Sequence, residues 1–147
     1  MSYAQEFEDK LAKAHIHEQK IADWLNKASN KNQYIRVEGK ELLWDLVCQN
    51  TGKTIECKTD YLIANTNNMF IELKGLWLCE AKGFVYENAN TNQNYFFNWQ
   101  DLKDWCRELV IKGDARIVLG GDRNESQGVL IDIDQCRHLN PVVKVIE

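Results

Sequence analysis

Leu42-Leu43-Trp44-Asp45-Leu46-Val47-Cys48, then Gln49-Asn50-Thr51-Gly52, then Lys53-Thr54-Ile55-Glu56-Cys57-Lys58, is the stretch that decides the reading. Two runs rich in apolar and β-branched residues flank a polar turn that ends in Gly, the pattern of a β-hairpin. Side chains alternate across a strand, so Glu56 and Lys58 share one face while Ile55 and Cys57 form the other, apolar one. With the chain reversing around Asn50 and Thr51, Asp45 falls opposite Glu56 or next to it. Cross-strand neighbours stand about 5 Å apart, a separation that suits two carboxylates bridging one hard cation. Mg²⁺ takes oxygen ligands and keeps several waters, so one or two carboxylates suffice to hold it. Such a cation lowers the pKa of a bound water and stabilises charge on a phosphoryl oxygen. A lysine two residues beyond the second ligand is placed to hold or deprotonate that water.

Outward from the hairpin, the chain reads as a mixed α/β domain. Before it, Tyr3–Ala28 carries Phe7, Leu11, Ala14, Ile21, Trp24 and Leu25 at helical spacing, with no Gly or Pro inside. Ser29–Asn32 ends that helix, and Tyr34–Val37 is a short extended stretch. After the hairpin, Met69–Leu73 reads as a third strand and Leu76–Glu87 as one or two more, broken near Gly83. Asn88–Asn94 is a polar loop and Tyr95–Trp99 an aromatic stretch. Gln100–Ile111 reads as a second helix ended by Gly113, followed by a short buried-type strand, Ala115–Leu119, a turn at Gly120-Gly121-Asp122, and a strand over Val129–Ile133. The apolar tail after Pro141 suits an edge strand. Neither a repeat nor a linker interrupts the chain, which predicts one domain over residues 1–147, an α/β sandwich with a partly antiparallel sheet.

Composition sets bounds on function. With 147 residues, 44% hydrophobic and 27% charged, the chain can bury a core of its own. No apolar run approaches the length of a membrane span, and the polar, acidic start does not resemble a secretory signal, so a cytoplasmic setting is expected. Five scattered cysteines without a C-x-x-C pair argue against a disulfide framework and a structural zinc site; they read as small core residues. The net charge of −4 does not by itself point to nucleic acid. Carboxylates that hold a cation are neutralised in the working site, however, and a local basic face can coexist with an acidic whole.

Asp45…Glu56-Cys57-Lys58, set on a hairpin that follows a helix carrying Glu18, resembles the PD-(D/E)XK nucleases of the restriction-endonuclease-like fold. Lys58-Thr59-Asp60, Asn68-Met69-Phe70-Ile71-Glu72 and Gly120-Gly121-Asp122-Arg123-Asn124 are similar to a group of small, mostly phage-encoded members, and the likeness spans roughly residues 15–135. The resemblance implies an αβββαβ core, with a mixed sheet flanked by helices. It implies a metal-dependent DNA endonuclease hydrolysing phosphodiester bonds, in a setting such as phage DNA recombination, repair or degradation. Asp45 and Glu56 would bind the metal, Cys57 would offer its main-chain carbonyl, Lys58 would be catalytic, and Glu18 would assist directly or through water. The cofactor would be Mg²⁺, with Mn²⁺ as a substitute, and the partners DNA and a second copy of the chain in a homodimer. The Pro that precedes the Asp in the family is replaced by Trp44. The alternative reading is an inactive protein of the same fold that binds nucleic acid or a protein partner.

A second register competes. Asp60…Glu72-Leu73-Lys74 has the same pattern, and Gly75-Leu76-Trp77 behind it resembles a segment of phage junction-resolving endonucleases. The first register is preferred, because its turn is tight and its Asp is expected within a strand. Other conspicuous residues have plainer readings. His15 and His17 lie two apart on a helix, point away from each other and read as surface. Lys103 and Arg107, like Asp104 and Glu108, read as a solvated helix face. Trp77 and Trp99 read as core, and Gly120–Asn124 as a turn.

Overall fold

The computed structural model describes residues 2–38, 44–120 and 126–147. A long helix, α1 (Tyr3–Ala28), opens the chain; Ser2 and Gln5 close a capping box at its start. Three strands follow, β1 (Tyr34–Arg36), β2 (Leu46–Cys48) and β3 (Thr54–Asp60), paired as an antiparallel meander. A short helix α2 (Ile63–Thr66), strand β4 (Asn68–Glu72) and helix α3 (Leu73–Leu78) carry the chain over to β5 (Gly83–Asn88). That strand pairs parallel to β3, from Ile55 against Gly83 to Asp60 against Asn88. A tight turn leads to β6 (Gln93–Asn98), then α4 (Trp99–Ile111), β7 (Arg116–Gly120), β8 (Ser126–Asp132), a 3-10 helix (Ile133–Leu139) and β9 (Val142–Val145).

These strands form two sheets. The larger is mixed, in the order β1-β2-β3-β5-β6-β9; the smaller is antiparallel, in the order β4-β8-β7. The mixed α/β class, a mixed sheet flanked by helices and an edge strand after Pro141 are therefore present. The strand after the second helix differs from expectation, since Ala115–Leu119 falls in the small sheet beside β8 and not in the sheet that holds the hairpin. Leu76–Leu78 is helical, not extended. A parallel partner for β3 needs a crossover, and β4 with α3 supplies it. No helix among the described residues is long and apolar enough to cross a membrane.

The alternation of β3, β5 and β6 divides the interior in two. On one face Ile55, Val85, Leu46 and Cys48 pack with Ile21 and Ala22 of α1. On the other, Phe84, Tyr86 and Phe97 join Met69, Ile71, Val129 and Ile131 of the small sheet and Trp99, Leu102 and Cys106 of α4. All five cysteines are free and none is exposed. The inward stripe of α1 begins only at Ala14; Phe7 and Leu11 are exposed, because the helix starts beyond the sheet. Asn26 pins the helix to β1, accepting from Tyr34 N–H at 2.8 Å and donating to its carbonyl at 3.0 Å. In the small sheet the Phe70 ring lies over Gly120 and Gly128, where any side chain would collide with it.

Trp99 anchors the larger core. It stacks on Phe84 with ring centroids 4.8 Å apart, and its indole N–H donates to the Cys79 carbonyl at 2.9 Å. Trp77, expected in the core, is instead half-exposed under the Arg107 guanidinium. Trp99→Ala is expected to cost about 3–5 kcal/mol, read as a lowered urea midpoint, whereas Trp77→Ala should cost under about 1 kcal/mol.

Candidate active site

Asp45 stands one residue ahead of β2, where the hairpin is irregular. Ile55 is the cross-strand partner of Leu46, yet its carbonyl also accepts from Asp45 N–H at 2.9 Å. Two residues thus face one, the two-against-one count of a β-bulge. The consequence shows in the packing: Leu46 lies under α1, while Trp44, two residues earlier, packs into the opposite core. In a regular strand the two would share a face. The bulge turns the Asp45 carboxylate back onto β3, where it accepts from Cys57 N–H at 2.7 Å. The expected strand start at Leu42 lies outside the described residues.

Glu18 comes to the same place from α1. Ala14, His17, Glu18, Ile21, Ala22 and Leu25 form the inward stripe of the helix, so Glu18 sits at a core position and is only 7% exposed. The Arg36 guanidinium Nε stands 3.6 Å from its Oε1. Burial, with the Asp45 charge second, pushes Glu18 up to about 7, against the pull of Arg36. Glu56 is pushed up to about 9 by burial first, then by the Asp45 charge and the hydrogen bond between the two, with Glu18 adding to it and Lys58 opposing. Burial also raises Asp45, partly offset by its bonds to Cys57 and Glu56. One physical statement covers all three: the carboxylates are close enough, and dry enough, that they do not all ionise together. Asp45 and Glu56 share a hydrogen bond and, between them, hold a proton.

Asp45 and Glu56 are hydrogen-bonded to each other. Glu18, Asp45 and Glu56 act on one another, and Lys58, on the same strand face as Glu56, acts on Glu56. The Cys57 side chain packs under α1, as expected for the opposite face. Burial and the surrounding carboxylates hold its thiol well above the ordinary range, so it is not a nucleophile here.

The second register is dispersed. One Asp60 oxygen accepts from Leu62 and Ile63 N–H at 2.6 and 3.2 Å, and the other accepts from the Tyr86 hydroxyl. Glu72 ends β4 in the small sheet, and Lys74 lies on α3, exposed. Glu-x-Lys there crosses from strand to helix, so the two side chains do not share a strand face.

Two surface expectations fail. His17 is buried, with Nε2 2.8 Å from the Asn94 side-chain oxygen and 3.8 Å from Glu87, which also pairs with Lys20 at 3.9 Å. Burial is the main cause that lowers its pKa, against the Glu87 charge and the bond to Asn94, which raise it. Lys103 is buried rather than solvated, because it sits one position from Leu102 on the inward side of α4. Neither Arg36 nor the Asn94–Glu87 pair carries a motif signal; only topology brings them to the site. The Gly120–Asn124 turn falls mostly outside the described residues.

The donor set fits a hard divalent cation. Every candidate ligand is an oxygen, and the mutual penalty among three carboxylates is the kind that bound positive charge relieves. Among the described residues no three His, Cys, Asp or Glu side chains already stand at metal-ligand spacing; Glu56 is hydrogen-bonded to Asp45 instead. No protein-family model, no curated protein and no solved structure matches the chain.

The shifts set a sign for stability against pH. Glu18 and Glu56 bind protons more tightly folded than unfolded. Their contribution is full below the ordinary value near 4.5 and is lost as the pH rises through about 7 and then about 9. In EDTA the urea midpoint of the protein should therefore fall between pH 5 and 9. Glu56→Gln should flatten that fall and leave the variant more stable than the parent at pH 9, by an amount on the order of a few kcal/mol. A parent midpoint that is flat or rises across this range would contradict the shared burial of these carboxylates.

Proposed function

We propose that the protein is a metal-dependent deoxyribonuclease of the restriction-endonuclease-like kind, with its centre at Asp45, Glu56, Lys58 and Glu18. The observation that carries the reading is the hydrogen-bonded pair of Asp45 and Glu56 beside Lys58, with Glu18 close enough from the α1 side to act on both carboxylates. Asp45 and Glu56 would hold Mg²⁺ or Mn²⁺, with the Cys57 carbonyl and Glu18 completing the protein's share of the oxygens. When bound, the cation supplies charge stabilisation at the phosphoryl group and a water of lowered pKa.

The remaining roles belong to the chain. The bulge at Asp45–Leu46 and the bond from Cys57 N–H fix the Asp45 carboxylate. Arg36 holds Glu18 at the site. Lys58, two residues past Glu56 on the same face, is placed to orient the attacking water or to stabilise the charge gained at phosphorus. The 5′-phosphate products implied by the resemblance belong to this proposal. So do a homodimer, since cleavage of two strands needs two such sites, and a cytoplasmic place of action.

Cleavage of linear, circular, single-stranded and branched DNA in Mg²⁺ or Mn²⁺ tests the proposal. The protein is expected to cut at least one of them, circular substrate included. Lys58→Ala and Asp45→Asn should each reduce the rate by about 10² or more, with folding unchanged by circular dichroism. No cleavage of any substrate by the parent protein would sink the enzymatic reading and leave nucleic-acid binding by an inactive fold.

A further inference from the structure

Where β3 and β5 begin and β6 ends, a cleft of about 750 Å³ opens toward the first turn of α4. Lys53, Lys82 and Lys103 line it, against a single carboxylate, Glu80. None of the three lysines forms an ion pair among the described residues, whose ion pairs lie elsewhere. Lys103 is the most telling. Its side chain is only 8% exposed, yet its ammonium, with three donors, has one long bond, to the Cys79 carbonyl at 3.4 Å. Two of its three donors are left for whatever enters the cleft. Asn98 and Gln100 at the start of α4 also line the cleft, which puts the positive end of that helix dipole beside the lysines.

We propose that this lysine cleft receives a phosphate of the nucleic-acid strand held at the carboxylate site. The inference rests on the nuclease reading and adds to it the place where the substrate backbone is gripped. Lys53 and Ile55 precede Glu56 by three residues and one, about 10 and 3 Å along an extended strand. Nucleotides advance about 3.4 Å along a duplex axis, and adjacent phosphates of one strand stand about 6–7 Å apart. A strand with its scissile phosphate at Asp45 and Glu56 and its backbone running toward the start of β3 has a phosphate one or two nucleotides away within reach of Lys53 at the cleft. The arrangement also answers the acidity of the chain: the contacts are local, and the carboxylates at the centre are the charges a bound cation neutralises.

Binding of a fluorescent 20-base-pair duplex, measured in EDTA so that cleavage does not intrude, tests the cleft. The parent, Lys53→Gln/Lys82→Gln, Glu56→Gln and Lys144→Gln would be compared across KCl concentrations. Lys144 lies on the exposed edge strand β9 and controls for loss of a positive charge. The double variant should bind at least tenfold more weakly than Lys144→Gln, with the slope of log K against log salt reduced by about 1 per lysine. Glu56→Gln should keep the parent slope in EDTA and lose cleavage in a parallel assay with Mg²⁺. Since both altered lysines are exposed, the double variant avoids disturbing buried Lys103. Binding by the double variant within twofold of Lys144→Gln, while the parent cleaves DNA, overturns the cleft and leaves the nuclease standing. A parent that neither binds nor cleaves overturns both. Inorganic phosphate at 10 mM that shifts the Gly83 and Lys103 amide resonances, in a protein that does not bind duplex, assigns the cleft to a free anion and likewise overturns the proposal.

Discussion

The parallel ladder between β3 and β5 is the constraint on which the rest of the architecture depends. It sends Ile55, Cys57 and Val85 to one side and Glu56, Lys58, Phe84 and Tyr86 to the other. Because the strands are parallel, the chain must leave the sheet and return, and the segment that does so builds the second sheet and α3. The first face is roofed by α1 and the second by the small sheet with α4. The polar residues of β3 consequently lie at the seam between two cores. That position is dry enough to perturb carboxylates, yet it adjoins strand ends where a substrate could reach.

Within this frame the bulge at Asp45 and Leu46 aims the site. A regular hairpin would set Asp45 squarely across from Glu56. The extra residue instead turns its carboxylate onto the Cys57 amide and toward α1, where Glu18 waits on the inward stripe. Three carboxylates thus come from three elements, a helix, a bulged strand end and a strand centre. Burial and the Asp45 charge raise the proton affinity of Glu18 and Glu56, and Glu18 adds to that of Glu56. An arrangement built only for stability would gain by replacing one of them with an apolar residue; under the proposed reading, a bound cation would offset this cost.

The sequence made much of this legible, and its failures have physical reasons. The hairpin, α1, α4 and the edge strand were readable because their apolar periods and turn residues agree. The face shared by Glu56 and Lys58 followed from strand alternation alone. Glu18 and His17 were readable in principle, since they stand at i+4 and i+3 from Ala14 and at i−3 and i−4 from Ile21, positions that must face the sheet. The charge of one and the polarity of the other masked that spacing. The helical turn over Leu76–Leu78 was hidden because a short apolar run looks the same in either conformation. Pairing between β3 and β5, and the placing of Ala115–Leu119 in a separate sheet, are long-range choices that no local pattern encodes. Lys103 followed the default for charged helix residues, and only its contact with Cys79 shows why it is buried.

The central claim is that Glu18, Asp45 and Glu56 form one site for a divalent cation, and Mn²⁺ binding followed by electron paramagnetic resonance tests it most directly. At pH 7.5 the parent protein should remove free Mn²⁺ from the spectrum at a saturable site. Asp45→Asn and Glu56→Gln should weaken that uptake at least tenfold, while Asp60→Asn leaves it unchanged. Uptake that is indifferent to Asp45 and Glu56, or that is lost with Asp60 instead, would contradict the account.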